Sequence, residues 1–173
     1  AKARKLRLQR QAEHREEHAA EARRLRERDL RARLRASPAA FVSALTAAWH
    51  DLLTADDRKE FPLAEVRLGA GFLDSVAALQ GVSAEKVVQV CAEVACGCAR
   101  EVEGREVHRL RSGPAGNAPP RTRARDGATA WRCALQVKTP AARRLHWWEV
   151  PSATGRVIEL ACVGHHDDMR IPE

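Results

Sequence analysis

The chain has 173 residues, 45% hydrophobic and 31% charged, with a formal charge of +7, which suits one domain of ordinary size plus an appendage. No run of about 18 apolar residues occurs, so no helix that crosses a bilayer is expected, and the opening Ala-Lys-Ala-Arg-Lys lacks the apolar core of a secretory signal. Five cysteines at irregular spacing do not make a disulfide framework, so a reducing cytoplasm is the expected setting, with Cys91 and Cys133 as small buried groups.

The charge is informative once it is located. Residues 1–36 hold 13 Lys and Arg against 6 Asp and Glu, while residues 37–173 hold 17 of each. The whole excess sits on the leading segment, as in a basic arm on a neutral body. Residues 2–36 contain no Gly or Pro and are dominated by Ala, Arg, Glu and Leu, all good helix formers. A helix of that length reaches roughly 50 Å. Leu6, Leu8, Leu25, Leu30 and Leu34 hold no sustained heptad, which argues against a self-sufficient coiled coil. Glu27 with Arg31, and Asp29 with Arg33, supply favourable i,i+4 pairs.

Ser37-Pro38 closes this helix and opens another over 38–53, with Ser as cap and Pro at the first position. Phe41, Val42, Leu45, Trp49, Leu52 and Leu53 form its apolar stripe, and 54–62 reads as a charged connector. Glu65 to Leu68 is a short strand closed by Gly69 and Gly71, and a short helix over 72–80 follows. Ser83 caps a longer helix to about Val102, whose buried face carries Val87, Cys91, Val94, Cys98 and Val102. Residues 111–127, with three Gly, three Pro and four Arg, read as a long, mobile, basic loop.

Three strands then follow, over 130–137, 144–150 and 156–163. Alternation sends Trp131, Cys133, Leu135, Val137, Leu145, Trp147, Ile158, Leu160 and Cys162 toward the long helix. The opposite face carries Arg132, Gln136, Lys138, Arg144, His146, Trp148 and Glu159. Basic groups beside an exposed Trp148 would combine phosphate contacts with a stacking surface for an unpaired base.

Other constellations carry less. His14 and His18 within H-x-x-E-H have metal-ligand spacing, but the segment has no apolar packing and no third ligand. Cys96 and Cys98, with Cys162, His165 and His166, make a second metal candidate, although residues two apart on a helix point nearly opposite ways. Asp167-Asp168 reads as a turn or cap. No phosphate-binding loop, dinucleotide fingerprint or nucleophile elbow occurs, so no cofactor and no metal are expected.

From Glu65 onward, a short strand, two helices and a three-stranded meander, ending in Gly164-His165-His166-Asp167-Asp168-Met169, resemble the RelE superfamily of ribosome-linked toxins. The ending is similar to that of its YafQ-like branch. The resemblance implies a metal-independent ribonuclease with His166 as the proton-transfer group and Arg132, Lys138 and Arg144 stabilising phosphate.

The expected fold is therefore α+β. A long basic helix (1–36) precedes a globular domain (37–173) with helices on one face of a small antiparallel sheet of three to four strands. The expected function is nucleic-acid binding, with RNA or a ribonucleoprotein favoured. Lys2, Arg4, Lys5, Arg7, Arg10, Arg23, Arg24, Arg28 and Arg31 would grip phosphates from the arm. Arg121, Arg123 and Arg125 would do so from the loop, and Arg132, Lys138, Arg144, His146 and Trp148 from the sheet. Two alternatives are a RelE-like endoribonuclease and a docking subunit that meets a protein partner along helix 1–36. No membrane partner is expected.

Overall fold

A computed structural model describes residues 2–173. Nothing in the first 36 residues breaks a helix, and α1 runs unbroken over Lys2–Ala36. The break comes where a cap and a proline coincide. Ser37 is extended, its hydroxyl accepts from the Ala40 N–H at 3.4 Å, and Pro38 opens α2 (Pro38–Leu52). Phe41 and Leu45 of α2 are fully buried, and Trp49 donates its indole N–H to the Phe61 carbonyl at 3.0 Å. The segment expected to be a plain connector contains a short helix, α3 (Ala55–Glu60). Thr54 caps it by accepting from the Asp57 N–H.

Next come β1 (Glu65–Leu68), α4 (Phe72–Ala78) and α5 (Ala84–Cys96). α5 is enclosed along nearly its whole length and is the centre of the main core. Its expected run to Val102 is cut short. Gly97 adopts φ +85°, a left-handed conformation that ends helices and suits glycine, and a 3-10 turn over Cys98–Glu101 follows.

The sheet has five strands rather than three or four, in the order β1-β5-β4-β3-β2. The added members are β1, paired parallel to β5, and the two-residue β2 (His108–Arg109), paired antiparallel to β3 (Thr129–Ala134). β4 (Arg144–Val150) and β5 (Val157–Gly164) complete the antiparallel meander. The sheet is therefore mixed.

Trp131, Cys133, Leu135, Leu145, Trp147, Ile158 and Leu160 join the helices in one core, as alternation requires. Trp131 and Trp147 stack with ring centroids 6.4 Å apart. Two assignments change. β3 ends at Ala134, so Val137 lies in the following turn and is exposed. A bulge also shifts the register: His146 pairs with Cys162 but Trp147 pairs with Leu160, leaving Ala161 as the extra residue. An extra residue reverses the parity of a strand, so Val163 enters the main core and Cys162 moves to the opposite face beside His146.

That opposite face is not open to solvent. The segment from Arg105 to Ala128 and the chain's last residues fold over it, making a second small core of Leu110, Ala128, Ala130, Trp148, Ala161 and Ile171. The expected loop is also held in place, with Arg111 bridged to Pro120 and Thr122 to Thr129. The Arg121 N–H donates to the Leu110 carbonyl and the Arg123 N–H to that of Ala128.

Candidate nucleic-acid interface

A 35-residue helix rising about 1.5 Å per residue extends roughly 50 Å, and its two ends behave differently. Residues 2–19 are exposed on every side. This stretch contains Lys2, Arg4, Lys5, Arg7 and Arg10, with no acidic residue before Glu13. The far end is docked. Leu34 is buried in the main core and Leu30 packs against it, and burying one leucine contributes about 2 kcal/mol.

The dock has a polar clamp as well. Glu27 accepts from the Ala84 N–H, the first residue of α5, at 2.6 Å, and from Arg31 Nε at 2.7 Å. Arg31 then donates to the carbonyls of Val76 (2.8 Å), Leu79 (3.1 Å) and Val82 (2.6 Å), where α4 ends and the chain turns toward α5. One carboxylate thus satisfies an orphan donor at a helix start and one guanidinium satisfies free carbonyls where the preceding helix ends and the chain turns. Arg31 is consequently committed to the fold and leaves the set of phosphate-gripping residues.

The remaining arm cations stay at the surface. Arg24 lies 4.0 Å from Glu21 and Arg28 lies 3.8 Å from Asp29, all well exposed. Such pairs are worth little and are readily exchanged. Among the described residues, the ion pair between arm and body is that of Arg35 with Asp74, at 3.4 Å and also exposed. The body's acids do not neutralise the arm.

The sheet residues expected to bind nucleic acid fare differently. Trp148 is fully buried and donates its indole N–H to the Pro172 carbonyl at 2.8 Å, so it offers no stacking surface. Arg123 is 1% exposed. It donates Nε and Nη2 to Asp126 at 3.0 and 2.6 Å, and Nη1 to Glu159 at 2.6 Å, while stacking 5.0 Å from the Trp148 ring. The hydrogen bonds from Arg123 pull the Asp126 carboxyl down to about 2, and the guanidinium is held firmly charged. Arg125 lies near the same two acids but is largely exposed. Arg121 donates to the Met169 carbonyl at 3.1 Å.

Arg132 and Arg144 are both buried, as cross-strand neighbours of His146 and Ala134. Arg144 pairs with Glu106 at 2.9 Å, and Glu106 sits at a left-handed φ of +50° to reach it. Burial and the nearby Arg144 push Arg132 down from its usual range. His146, 1% exposed, is pushed down to about 4 by burial, and its Nδ1 lies 3.0 Å from the Arg170 carbonyl. Lys138 remains exposed, in the turn after β3.

The covered face therefore contributes packing and buried ion pairs, and the accessible cations lie on α1 and at exposed positions of the body such as Arg109, Arg111, Arg125, Lys138 and Arg156. A cleft of about 390 Å³ at the sheet's edge is lined by Ser75, His146, Cys162, Asp168 and Arg170. His166 sits outside it in an exposed turn. Asp168, which the sequence suggests is a turn or cap residue, accepts from the Arg170 backbone and guanidinium. Those bonds hold its carboxyl down to about 2.

No family model, no curated protein and no solved structure matches this chain.

The metal candidates do not assemble. His14 and His18 meet edge to face with Nε2 atoms 3.1 Å apart on the exposed arm. Among the described residues, no group of three or more His, Cys, Asp or Glu is arranged to hold a metal ion. Cys162 lies beside His146 beneath the C-terminal residues, whereas Cys96 and Cys98 close α5.

Two functional-looking groups escape the sequence reading. Glu93 and Arg105 form a buried pair with Nε to Oε2 at 2.6 Å, and Arg105 also donates to the carbonyls of Ala134 and Leu135. Glu93 sits on the enclosed face of α5, and a lone acid inside an apolar stripe was the available signal. The Glu27–Arg31 clamp was visible as a pair but not as a dock, because its partners are backbone groups about 50 residues away.

Proposed function

We propose that this protein binds nucleic acid, RNA in preference, by laying the free outer half of α1 along phosphates while its docked end fixes the arm to the body. One observation carries the reading. Residues 2–19 are exposed all round and cation-rich, and among the described residues the body acid that pairs with the arm, Asp74, meets Arg35 at its docked end. A neutral globule with a rigid cationic spoke binds polyanions through counterion release, with steep salt dependence. No helix-turn-helix or zinc-finger spacing supports base reading in duplex DNA. RNA or a ribonucleoprotein, recognised by shape and backbone, suits such an arm.

The dock dictates the test. A truncation at Ser37 would remove Leu34 and the Glu27–Arg31 clamp, so the arm is shortened to begin at Ala20. Fluorescence anisotropy with an unstructured RNA oligonucleotide at rising salt then compares the two chains. The full chain should bind more tightly and with a steeper salt slope. Equal affinity and slope in both would remove the arm from the account. Binding to an acidic protein that survives nuclease treatment would favour the docking-subunit alternative.

A ribonuclease of RelE type is a second reading, supported by the element order β1–α4–α5 followed by the meander and by the edge cleft. Incubating translating ribosomes with wild type, His166→Ala and His146→Ala tests it. Loss of cleavage in His166→Ala alone supports the residue that the resemblance implies, and no cleavage by wild type disposes of the reading.

A further inference from the structure

We propose that Cys96 and Cys98 are a redox-active dithiol, which a small peroxide closes to an intramolecular disulfide. The proposal is independent of nucleic-acid binding. In a continuous helix, residues two apart point nearly opposite ways, and these two cysteines would never meet. Gly97 removes that obstacle. Its φ of +85° ends α5 and turns the chain so that the two Sγ atoms lie 3.2 Å apart. A disulfide needs about 2.05 Å between sulfurs, roughly 1 Å closer than the pair stands. A Cβ at position 97 would lie 3.2 Å from Arg156 Nη1, which places a guanidinium beside the turn.

The electrostatics set Cys96 apart from the other cysteines, Cys98 included, whose thiol is pushed up by its hydrogen bond with Cys96 and by burial. The hydrogen bond with Cys98 holds Cys96 down to about 7, and Arg156 adds to the effect. Burial pushes Cys133 up to about 12 and Cys162 up to about 11. Cys91 is pushed well above its usual value, also by burial. Thiolate is the reactive form, so Cys96 is the nucleophile although Cys162 is the more exposed residue. Cys96 and Cys98 are only 2% and 8% exposed, which restricts the oxidant to something as small as hydrogen peroxide.

The reaction balances in two steps. The Cys96 thiolate attacks one peroxide oxygen, the O–O bond breaks, and the departing hydroxide takes a proton to become water, leaving Cys96 as the sulfenic acid. Cys98 sulfur then attacks Cys96 sulfur. The S–S bond forms as the S–O bond breaks, and the hydroxide leaves with the Cys98 proton as a second water. Two thiols are oxidised and one peroxide is reduced. A dithiol reductant reverses the change by thiol–disulfide exchange.

The test is peroxide titration of the folded full-length chain, followed by alkylation and peptide mapping, with near-ultraviolet circular dichroism to verify folding. In wild type the Cys96–Cys98 disulfide should form before any change at Cys162, and dithiothreitol should restore both thiols. Cys98→Ser and Cys98→Ala should each stop at a Cys96 sulfenic acid that dimedone traps, an adduct absent from wild type. Either variant suffices if the other misfolds. Oxidation of Cys162 first, pairing only after urea unfolding, or a Cys96 sulfenic acid that persists in wild type would each overturn the proposal.

Discussion

Arginine is used in two opposite ways in this chain. At three places in the body it is buried and answered: Arg105 by Glu93 and two carbonyls, Arg123 by Asp126, Glu159 and the Trp148 ring, Arg144 by Glu106. On the outer part of α1 it stands in solvent with exposed neighbours or none. The lesson concerns charge counting. A basic residue marks a polyanion site only where no acid of the same chain is folded against it, and the neutral total of residues 37–173 conceals which of the body's arginines are paired, such as Arg105 and Arg123, and which, such as the buried Arg132, are not.

Breaking the buried pairs should therefore cost stability, whereas breaking the arm should not. Arg105→Ala would leave the Glu93 carboxylate enclosed without its partner, and removing one member of such a pair costs about 3–5 kcal/mol. Urea unfolding should detect this as a large drop in midpoint. Arg123→Ala is expected to cost somewhat less, about 3 kcal/mol, because Asp126 can turn to water. It should also free the 105–128 segment to exchange its amides. A change below about 1 kcal/mol in both would mean that the pairs do not hold the covered face.

His146 sharpens the same contrast through pH. Its folded value is depressed to about 4 by burial, below the unfolded value near 6.5. Between those values the unfolded chain binds more protons, so this contribution is fully present above about 6.5 and is lost as pH falls toward 4. The full loss is roughly 3 kcal/mol. Stability measured from pH 7 to 4 should fall in wild type, and His146→Asn should flatten that part of the curve. An unchanged curve in the variant would show that His146 is not held neutral by the fold.

These buried pairs also show where the sequence stops being legible. Strand alternation correctly separates Trp131, Cys133, Leu145 and Trp147 from Arg132, Arg144 and His146, since parity is local. It says nothing about what covers the second face, because the cover comes from the 105–128 segment and from Ile171 and Pro172. The parity rule itself fails at Ala161, where a single inserted residue moves Cys162 across the sheet. A glycine can end a helix, but the apolar stripe running through Gly97 to Val102 outweighs it in a reading by periodicity. Arg123-x-x-Asp126 was the one local sign that the basic loop answers its own charge. At the arm, the reading of an exposed basic helix describes residues 2–19, and Leu34 buried at its end was the part not anticipated.

The dock should be a milder weak point. Arg31 is about one fifth exposed, so its three carbonyl bonds are partly screened, and Arg31→Ala should cost about 1–2 kcal/mol. Its clearer signature is local. Amides at the start of α5, above all Ala84, should exchange faster, and the arm should reorient more freely in spin-label measurements. Unchanged exchange at Ala84 would argue that Leu34 alone anchors the helix.

The smallest effect on stability should come from the largest change in charge. Replacing Lys2, Arg4, Lys5, Arg7 and Arg10 by glutamine touches no packed atom and keeps good helix formers in place. The unfolding midpoint should stay within about 0.5 kcal/mol of wild type. For single-stranded RNA, each phosphate contact contributes roughly −0.7 to the slope of log affinity against log salt. If all five cations engage, the slope should flatten by about 3.5. A smaller flattening counts how many reach phosphate at once, and because cations lie on all sides of α1, partial engagement is the geometry of a straight ligand. Full engagement would require a strand that wraps the helix. No flattening at all, in a variant that remains folded, would leave the arm's charge without the polyanion assigned to it.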